Sequence, residues 1–144
     1  MVSAEPEGII GKVVKDDQSI IYSFDKQLPS KEVIASFPTV VVIQWAYDGS
    51  KNKGMPSASE LELIYQLEDV LDDLAEQGAA FRAYARTGNN TREFVYYIIG
   101  KSGYLELLNQ ALSQHPEYPI DISFYSDPDW SKYKELLANF KQDE

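Results

Sequence analysis

The sequence predicts an α+β domain whose elements run β-α-β-β-α-β, preceded by a β-hairpin and followed by a helix. Three observations predict it: a β-branched apolar run from Pro38 to Tyr47, two stretches with apolar residues at three- and four-residue spacing, and short alternating runs around them. The 144 residues are 44% hydrophobic and 12% aromatic, enough apolar material for one core. Residues 1–8 are polar and expected to be disordered, and 9–144 are expected to form a single domain.

Ile9 to Val14 and Ser19 to Phe24 flank Lys15-Asp16-Asp17-Gln18 and read as a hairpin. A connector with Leu28-Pro29-Ser30 and a short helical turn at Lys31 to Ala35 leads to Pro38–Tyr47, which reads as a central strand buried on both faces. After the polar loop Asp48 to Pro56, Ser57-Ala-Ser-Glu60 forms a capping box. The helix it starts runs to about Gln77 and stops at Gly78, with Leu61, Ile64, Leu67, Val70, Leu71 and Leu74 on one face.

A second hairpin follows, in which Phe81, Ala83 and Ala85 alternate with Arg82, Tyr84 and Arg86, and Gly88-Asn89-Asn90 turns into Arg92–Ile99. If the small and apolar sets lie under the helices, Arg82, Tyr84 and Arg86 share the opposite sheet face. Both faces of Arg92–Ile99 carry a tyrosine, which leaves its parity open. Gly100 opens a helix through about Gln114, and Ile120–Tyr125 is a strand with Asp121, Ser123 and Tyr125 opposite Ile120, Ile122 and Phe124. Asp127 or Asp129 caps the last helix, whose apolar stripe is Tyr133, Leu136, Leu137 and Phe140. The central order is that of the ferredoxin-like split βαβ arrangement, in which right-handed crossovers place both internal helices on one face.

Composition narrows the chemistry. With 13 Lys+Arg against 23 Asp+Glu the net charge is −10, which disfavours direct nucleic-acid binding, because that draws on basic residues displacing counterions. No cysteine is present, so thiol catalysis, thiolate metal sites and disulfides are excluded. The longest apolar stretch, Val40 to Ile43, is far short of the roughly 20 residues of a membrane span, and Met1–Gly8 lacks a signal-peptide pattern. The expectation is a cytoplasmic protein that binds no membrane.

Local motifs have structural explanations. Gly100-Lys101-Ser102 suggests a phosphate loop, yet the first glycine of that motif would fall at Val95 inside a strand. His115 is the only histidine and ends a helix, which leaves paired-imidazole and multi-histidine zinc chemistry without residues. Asp16-Asp17, Asp72-Asp73 and Asp127-Pro-Asp129 lack a ligand loop of calcium-binding pattern. Asn89-Asn90-Thr91 fits a glycosylation sequon without a secretion signal. Neither a metal nor a cofactor is expected, and no catalytic residues are assigned.

Two surfaces remain. The helix over 57–77 carries seven acids and no Lys or Arg, and Glu62, Asp69, Asp72, Asp73 and Glu76 fall opposite its leucines. Such a face is ordinarily a solvated surface; because unrelieved like charge on a helix costs stability, the other reading is a docking surface for a basic protein partner. The second is the sheet face with Arg82, Tyr84 and Arg86, which reads either as a ligand-binding surface or as packing beneath the N-terminal hairpin or last helix with the arginines paired to carboxylates.

Further patterns line up in order: Gly54-Met55-Pro56, Glu68-Asp69, Arg86-Thr87, Arg92-Glu93-Phe94 leading into Tyr96-Tyr97, and Asp127-Pro128-x-Trp130-x-x-Tyr133. From about Tyr22 to Tyr133 the chain resembles the bacterial family catalogued as domain of unknown function 695. The resemblance implies a ferredoxin-like fold. Members also occur beside a domain similar to the B-type regulator of ribonuclease E activity, which makes a regulatory role an analogy. The resemblance supplies no catalytic residues. The leading expectation is a non-catalytic interaction or regulatory module, with a homodimer compatible with the fold analogy. The alternatives are a carboxylate-dependent hydrolase or ribonuclease-like enzyme using Arg82 or Arg86 with Asp121 or another acid, and a small-molecule sensor with Trp45, Tyr97 or Trp130 stacking on a ligand.

Overall fold

The structure is a computed structural model that describes residues 9–15, 18–24 and 28–141. The elements are β1 (Ile9–Lys15), β2 (Gln18–Phe24), α1 (Lys31–Ser36), β3 (Thr39–Ala46), α2 (Ala58–Glu76), β4 (Ala80–Gly88), β5 (Thr91–Ile98), α3 (Lys101–Ala111), β6 (Ile120–Ser126) and α4 (Ser131–Lys141). The expected disorder of 1–8 and the turn residues Asp16 and Asp17 lie outside the described residues.

The six strands form one antiparallel sheet in the order β1-β2-β4-β5-β3-β6. The Val- and Ile-rich β3 is held between β5 and β6, and both of its faces are buried. Val41, Ile43 and Trp45 meet Ile64, Leu67, Leu71 and Leu74 of α2 together with Tyr104 and Leu108 of α3. Val40 and Val42 face the other way, into a second cluster with Trp130, Tyr133 and Leu136. The chain is therefore three layers, with α2 and α3 on one side of the sheet and α1 and α4 on the other. Each fully buried Leu or Ile of α2 contributes roughly 1.5–3 kcal/mol through its removal from water.

Local chemistry sets the helix ends. The Ser57 hydroxyl accepts from the Glu60 N–H at 3.2 Å, and Gly78, at φ +88°, takes the left-handed turn that ends α2. Asn89 and Asn90 adopt φ 53° and 67°, the left-handed pair that a two-residue hairpin turn requires. The Asn90 side-chain carbonyl accepts from the Gly49 N–H, and the Asn90 N–H donates to the Gly54 carbonyl, both at 2.9 Å. The β3–α2 loop is thereby tied down to the hairpin. A Cβ on Gly49 would lie 2.5 Å from the Gly54 carbonyl carbon, so the close approach itself demands glycine.

Strand β4 departs from regular alternation. Arg82 pairs with Tyr96 and Tyr84 pairs with Val95, which leaves Ala83 as the extra residue of a β-bulge. Phe81, Ala83 and Tyr84 all belong to the α4 side, whereas Ala85 belongs to the α2 side. The expectation that Phe81, Ala83 and Ala85 lie together under α2, with Arg82, Tyr84 and Arg86 together on the opposite face, is thus corrected. A bulge adds one residue to one strand and shifts the period-two pattern by one position. Strand β5, whose parity was open, sends Phe94, Tyr96 and Ile98 toward α2, and Glu93, Val95 and Tyr97 toward α4.

Candidate functional site

On the α2 side, Arg82 projects between sheet and helix. Its Nη2 is 2.8 Å from Glu68 Oε2 and its Nη1 is 2.9 Å from Asp72 Oδ1. Arg92, directed to the same side of β5, places Nη2 2.9 Å from Glu68 Oε2, donates to Thr87 Oγ1, and lies over the Phe94 ring. The Tyr96 hydroxyl donates to Asp72 Oδ1 at 2.5 Å. Burial pushes the Tyr96 phenol well above its usual range, so it stays a neutral donor. Burial opposes the charge on Arg82, but the surrounding Tyr96, Asp72 and Glu68 outweigh it and hold the guanidinium more firmly protonated. This network locks α2 to β4 and β5.

Those pairings divide the acids of α2 into two groups. Glu68 and Asp72 are bound to the sheet, while Glu62, Asp69, Asp73 and Glu76 are exposed and form no ion pair among the described residues. Asp72, expected on the outward face, instead turns its carboxylate to Arg82 and Tyr96. The outward stripe of positions 62, 65, 69, 73 and 76 includes Tyr65, which is 49% exposed.

On the α4 side, a row of polar side chains crosses the sheet. Tyr22 pairs with Arg86, Arg86 with Glu93, Glu93 with Gln44, and Gln44 with Asp121. Glu93 Oε2 accepts from Arg86 Nη2 at 3.2 Å and from Gln44 Nε2 at 3.1 Å. The Glu93 side chain is 8% exposed and that of Arg86 33% exposed. Tyr22, Tyr84, Arg86 and Glu93 form the sheet wall of a cleft of about 290 Å³. Its other wall is α4, through Lys132, Glu135, Leu136 and Asn139, whose i, i+3, i+4, i+7 spacing puts them on one helical flank. Desolvation pushes the Tyr84 phenol upward, with the Glu93 charge adding to the effect and Arg86 opposing it.

The Asp127-Pro128-x-Trp130 motif carries α4. Asp127 Oδ1 accepts from the Ser131 N–H at 2.8 Å, and Oδ2 accepts from the Lys132 N–H at 3.0 Å and from the Tyr97 hydroxyl at 2.7 Å. Trp130, at φ 58°, stacks on Tyr97 with ring centroids 4.2 Å apart and donates from Nε1 to the Phe37 carbonyl at 2.8 Å. Trp130 and Tyr97 are fully buried, as is Trp45, which packs against Tyr118. The three aromatics considered as ligand stackers are core residues.

Elsewhere, Gly100 is the N-cap of α3 without a side-chain cap, and Lys101 Nζ lies 5.4 Å from the Phe124 ring centroid. His115 Nδ1 is 2.8 Å from the Tyr118 hydroxyl. Among the described residues no group of three or more His, Cys, Asp or Glu side chains is placed to hold a metal ion, and no helix is long and apolar enough to cross a membrane.

A family model matches residues 12–138, and its description is a family of unknown function, DUF695. The chain belongs to the DUF695 family. The matched span encloses Tyr22–Tyr133, over which the resemblance was read, and takes in the whole α4-side cleft lining up to Leu136. Neither the curated proteins nor the solved structures returned a match. In this DUF695 chain the predicted site residues separate: Arg82 joins Asp72 on the α2 side, Tyr84 and Arg86 line the cleft, and Glu62, Asp69, Asp73 and Glu76 lie on the outer surface of α2. Asp121 follows Arg86 in the cross-strand row only after Glu93 and Gln44. Sequence reasoning missed Tyr22, Gln44, Glu93, Lys132, Glu135 and Asn139. The i, i+3, i+7 spacing of the last three beside an apolar stripe was the one available signal.

Proposed function

We propose that this DUF695 protein is a non-catalytic, cytoplasmic interaction module whose outer α2 face docks a basic segment of a partner protein. We also propose that β3-α2-β4-β5-α3-β6 is a ferredoxin-like split βαβ unit, with β1, β2, α1 and α4 added to it. The strand order β4-β5-β3-β6 and the placement of α2 and α3 on one face support that fold reading.

One observation carries the docking reading: Glu62, Asp69, Asp73 and Glu76 form no ion pair among the described residues, on a helix without Lys or Arg, while Glu68 of the same helix pairs with Arg82 and Arg92, and Asp72 with Arg82. Unrelieved like charges at i,i+4 and i,i+3 destabilise a helix by a few tenths of a kcal/mol each, and a basic partner removes that cost. Tyr65 lies within the stripe as an exposed aromatic anchor, a residue type enriched at interface hot spots. A second copy of this chain, at −10, is a poor occupant for an acidic face.

The test is affinity capture from a native lysate with three baits: the wild type, a variant with Glu62→Gln, Asp69→Asn, Asp73→Asn and Glu76→Gln, and Tyr65→Ala. Asp72 is left intact because it pairs with Arg82. The reading expects a partner with a basic segment, retained by the wild type, weakened by salt, and lost from both variants. A partner held equally by all three baits overturns it. So does one lost only from the neutralised bait, since that is unspecific charge attraction.

A further inference from the structure

The cleft under α4 lies on the other side of the sheet from the outer α2 face, so what it binds is independent of the docking reading. We propose that it is a binding site for a small zwitterion of the α-amino acid class. In this arrangement Arg86 and Lys132 hold the ligand carboxylate, and Glu93 and Glu135 hold its ammonium group.

Size, preorganisation and charge converge on that class. A volume of about 290 Å³ lies at the lower end of small-molecule pockets, room for a metabolite of amino-acid size rather than a nucleotide or an extended peptide. The polar floor is built in advance. Glu93 is almost fully buried and is oriented by Gln44 and Arg86, so its desolvation is already offset in the folded chain. Arg86 carries five N–H groups; among the described residues Nη2 meets Glu93, Tyr22 lies opposite it across the strand pair, and Nε is shielded from solvent. The Arg86 side chain is one-third exposed on the cleft wall, so its remaining Nη N–H groups are the ones open to a ligand carboxylate.

The charges decide between ligand types. Each wall contributes one cation and one carboxylate, Arg86 and Glu93 from the sheet and Lys132 and Glu135 from α4. A simple anion would be repelled by both carboxylates and by a chain of net charge −10, and a simple amine would be opposed by both cations. A molecule with a carboxylate next to an ammonium group satisfies both signs. Tyr84, kept neutral by burial, adds a hydroxyl that can donate or accept.

The test is an amide-detected NMR titration of the full chain. The probes are glycine, L-serine, L-glutamine and L-leucine, each added separately, with propionate, ethylamine and inorganic phosphate as further arms. Saturable shifts at Arg86, Glu93, Lys132 and Asn139 are expected from one or more of the amino acids and not from the other probes. Lys132→Gln and Glu135→Gln lie on the helix flank and leave the core intact; each is expected to raise Kd about tenfold, or 1.4 kcal/mol. Arg86→Lys, which keeps the charge but loses the fork, is expected to abolish saturation. Absence of shifts with every amino acid overturns the proposal. Equal shifts with propionate or phosphate overturn it in favour of an anion site, and binding unchanged in the Lys132→Gln, Glu135→Gln double variant overturns it as well.

Discussion

Replacing Asp127 by Asn separates an ordinary helix cap from a tertiary anchor. Asn and Asp are about equally good N-caps, so helix chemistry alone predicts almost no change. In the structure both carboxylate oxygens are committed: Oδ1 to the Ser131 N–H, and Oδ2 to the Lys132 N–H and the Tyr97 hydroxyl. An amide keeps one acceptor and puts an N–H₂ group where Oδ2 was, so two donors then face a third. Tyr97 is fully buried beneath Trp130, and its hydroxyl has no water to turn to. Losing a hydrogen bond to a charged group costs about 1.5–3 kcal/mol. With an unfolding entropy near 2.1 cal/mol/K per residue, a chain of 144 residues loses about 3 °C in Tm per kcal/mol, so the expected drop is roughly 5–10 °C. Thermal and urea unfolding followed by circular dichroism measure it.

The pH dependence gives a second reading of the same residue. Burial pushes the Asp127 carboxyl upward, but hydrogen bonds from the Lys132 N–H, the Tyr97 hydroxyl and the Ser131 N–H outweigh it and hold its pKa below the usual range. A lowered folded pKa means stability that is present above the unfolded value of about 3.9 and lost as pH falls through the folded value. The gap between wild type and Asp127→Asn should therefore be full at neutral pH and close below about pH 3.9. Equal stability of the two proteins at pH 7, or a gap that does not change on acidification, would refute the reasoning.

Three other perturbations test the frame. Arg82→Met removes the cation that Glu68 and Asp72 share, leaving Glu68 to Arg92 alone; a loss of about 1–3 kcal/mol is expected in urea unfolding, and no loss would show the network to be passive. Deleting Ala83 joins Arg82↔Tyr96 directly to Tyr84↔Val95 and leaves every neighbouring side chain on its present face. The variant should fold, at a cost of about 1–2 kcal/mol, whereas an unfolded product would mean the bulge is indispensable. Gly88→Ala forces a Cβ to 2.6 Å from the Ser19 carbonyl oxygen at φ +147°; a penalty above about 1 kcal/mol is expected, and an unchanged Tm would contradict the close approach of β2.

Where periodicity is local, the residues alone were sufficient. The Ser57 N-cap, the stop at Gly78, the leucine stripe of α2, the β-branched run of β3 and the Asp127 cap are each decided within one or two turns of chain or by alternation along one strand. The outward position of Glu62, Asp69, Asp73 and Glu76 was legible for the same reason, since opposite sides of a helix follow from 100° per residue. The division of Arg82 from Tyr84 and Arg86 was not. A bulge is set by the register of β4 against β5, and nothing in Phe-Arg-Ala-Tyr-Ala-Arg marks where a residue will go unpaired. The turn of Asp72 toward Arg82 depends on the depth at which α2 sits on the sheet. The cleft joins residues up to 117 positions apart, Tyr22 to Asn139, so only the packing of α4 over β2, β4 and β5 brings Glu93, Arg86 and Lys132 to one site. Short-range spacing determined which elements form. Tertiary register decided which of their charged side chains meet, because that depends on cross-strand pairing and helix placement that no local pattern encodes.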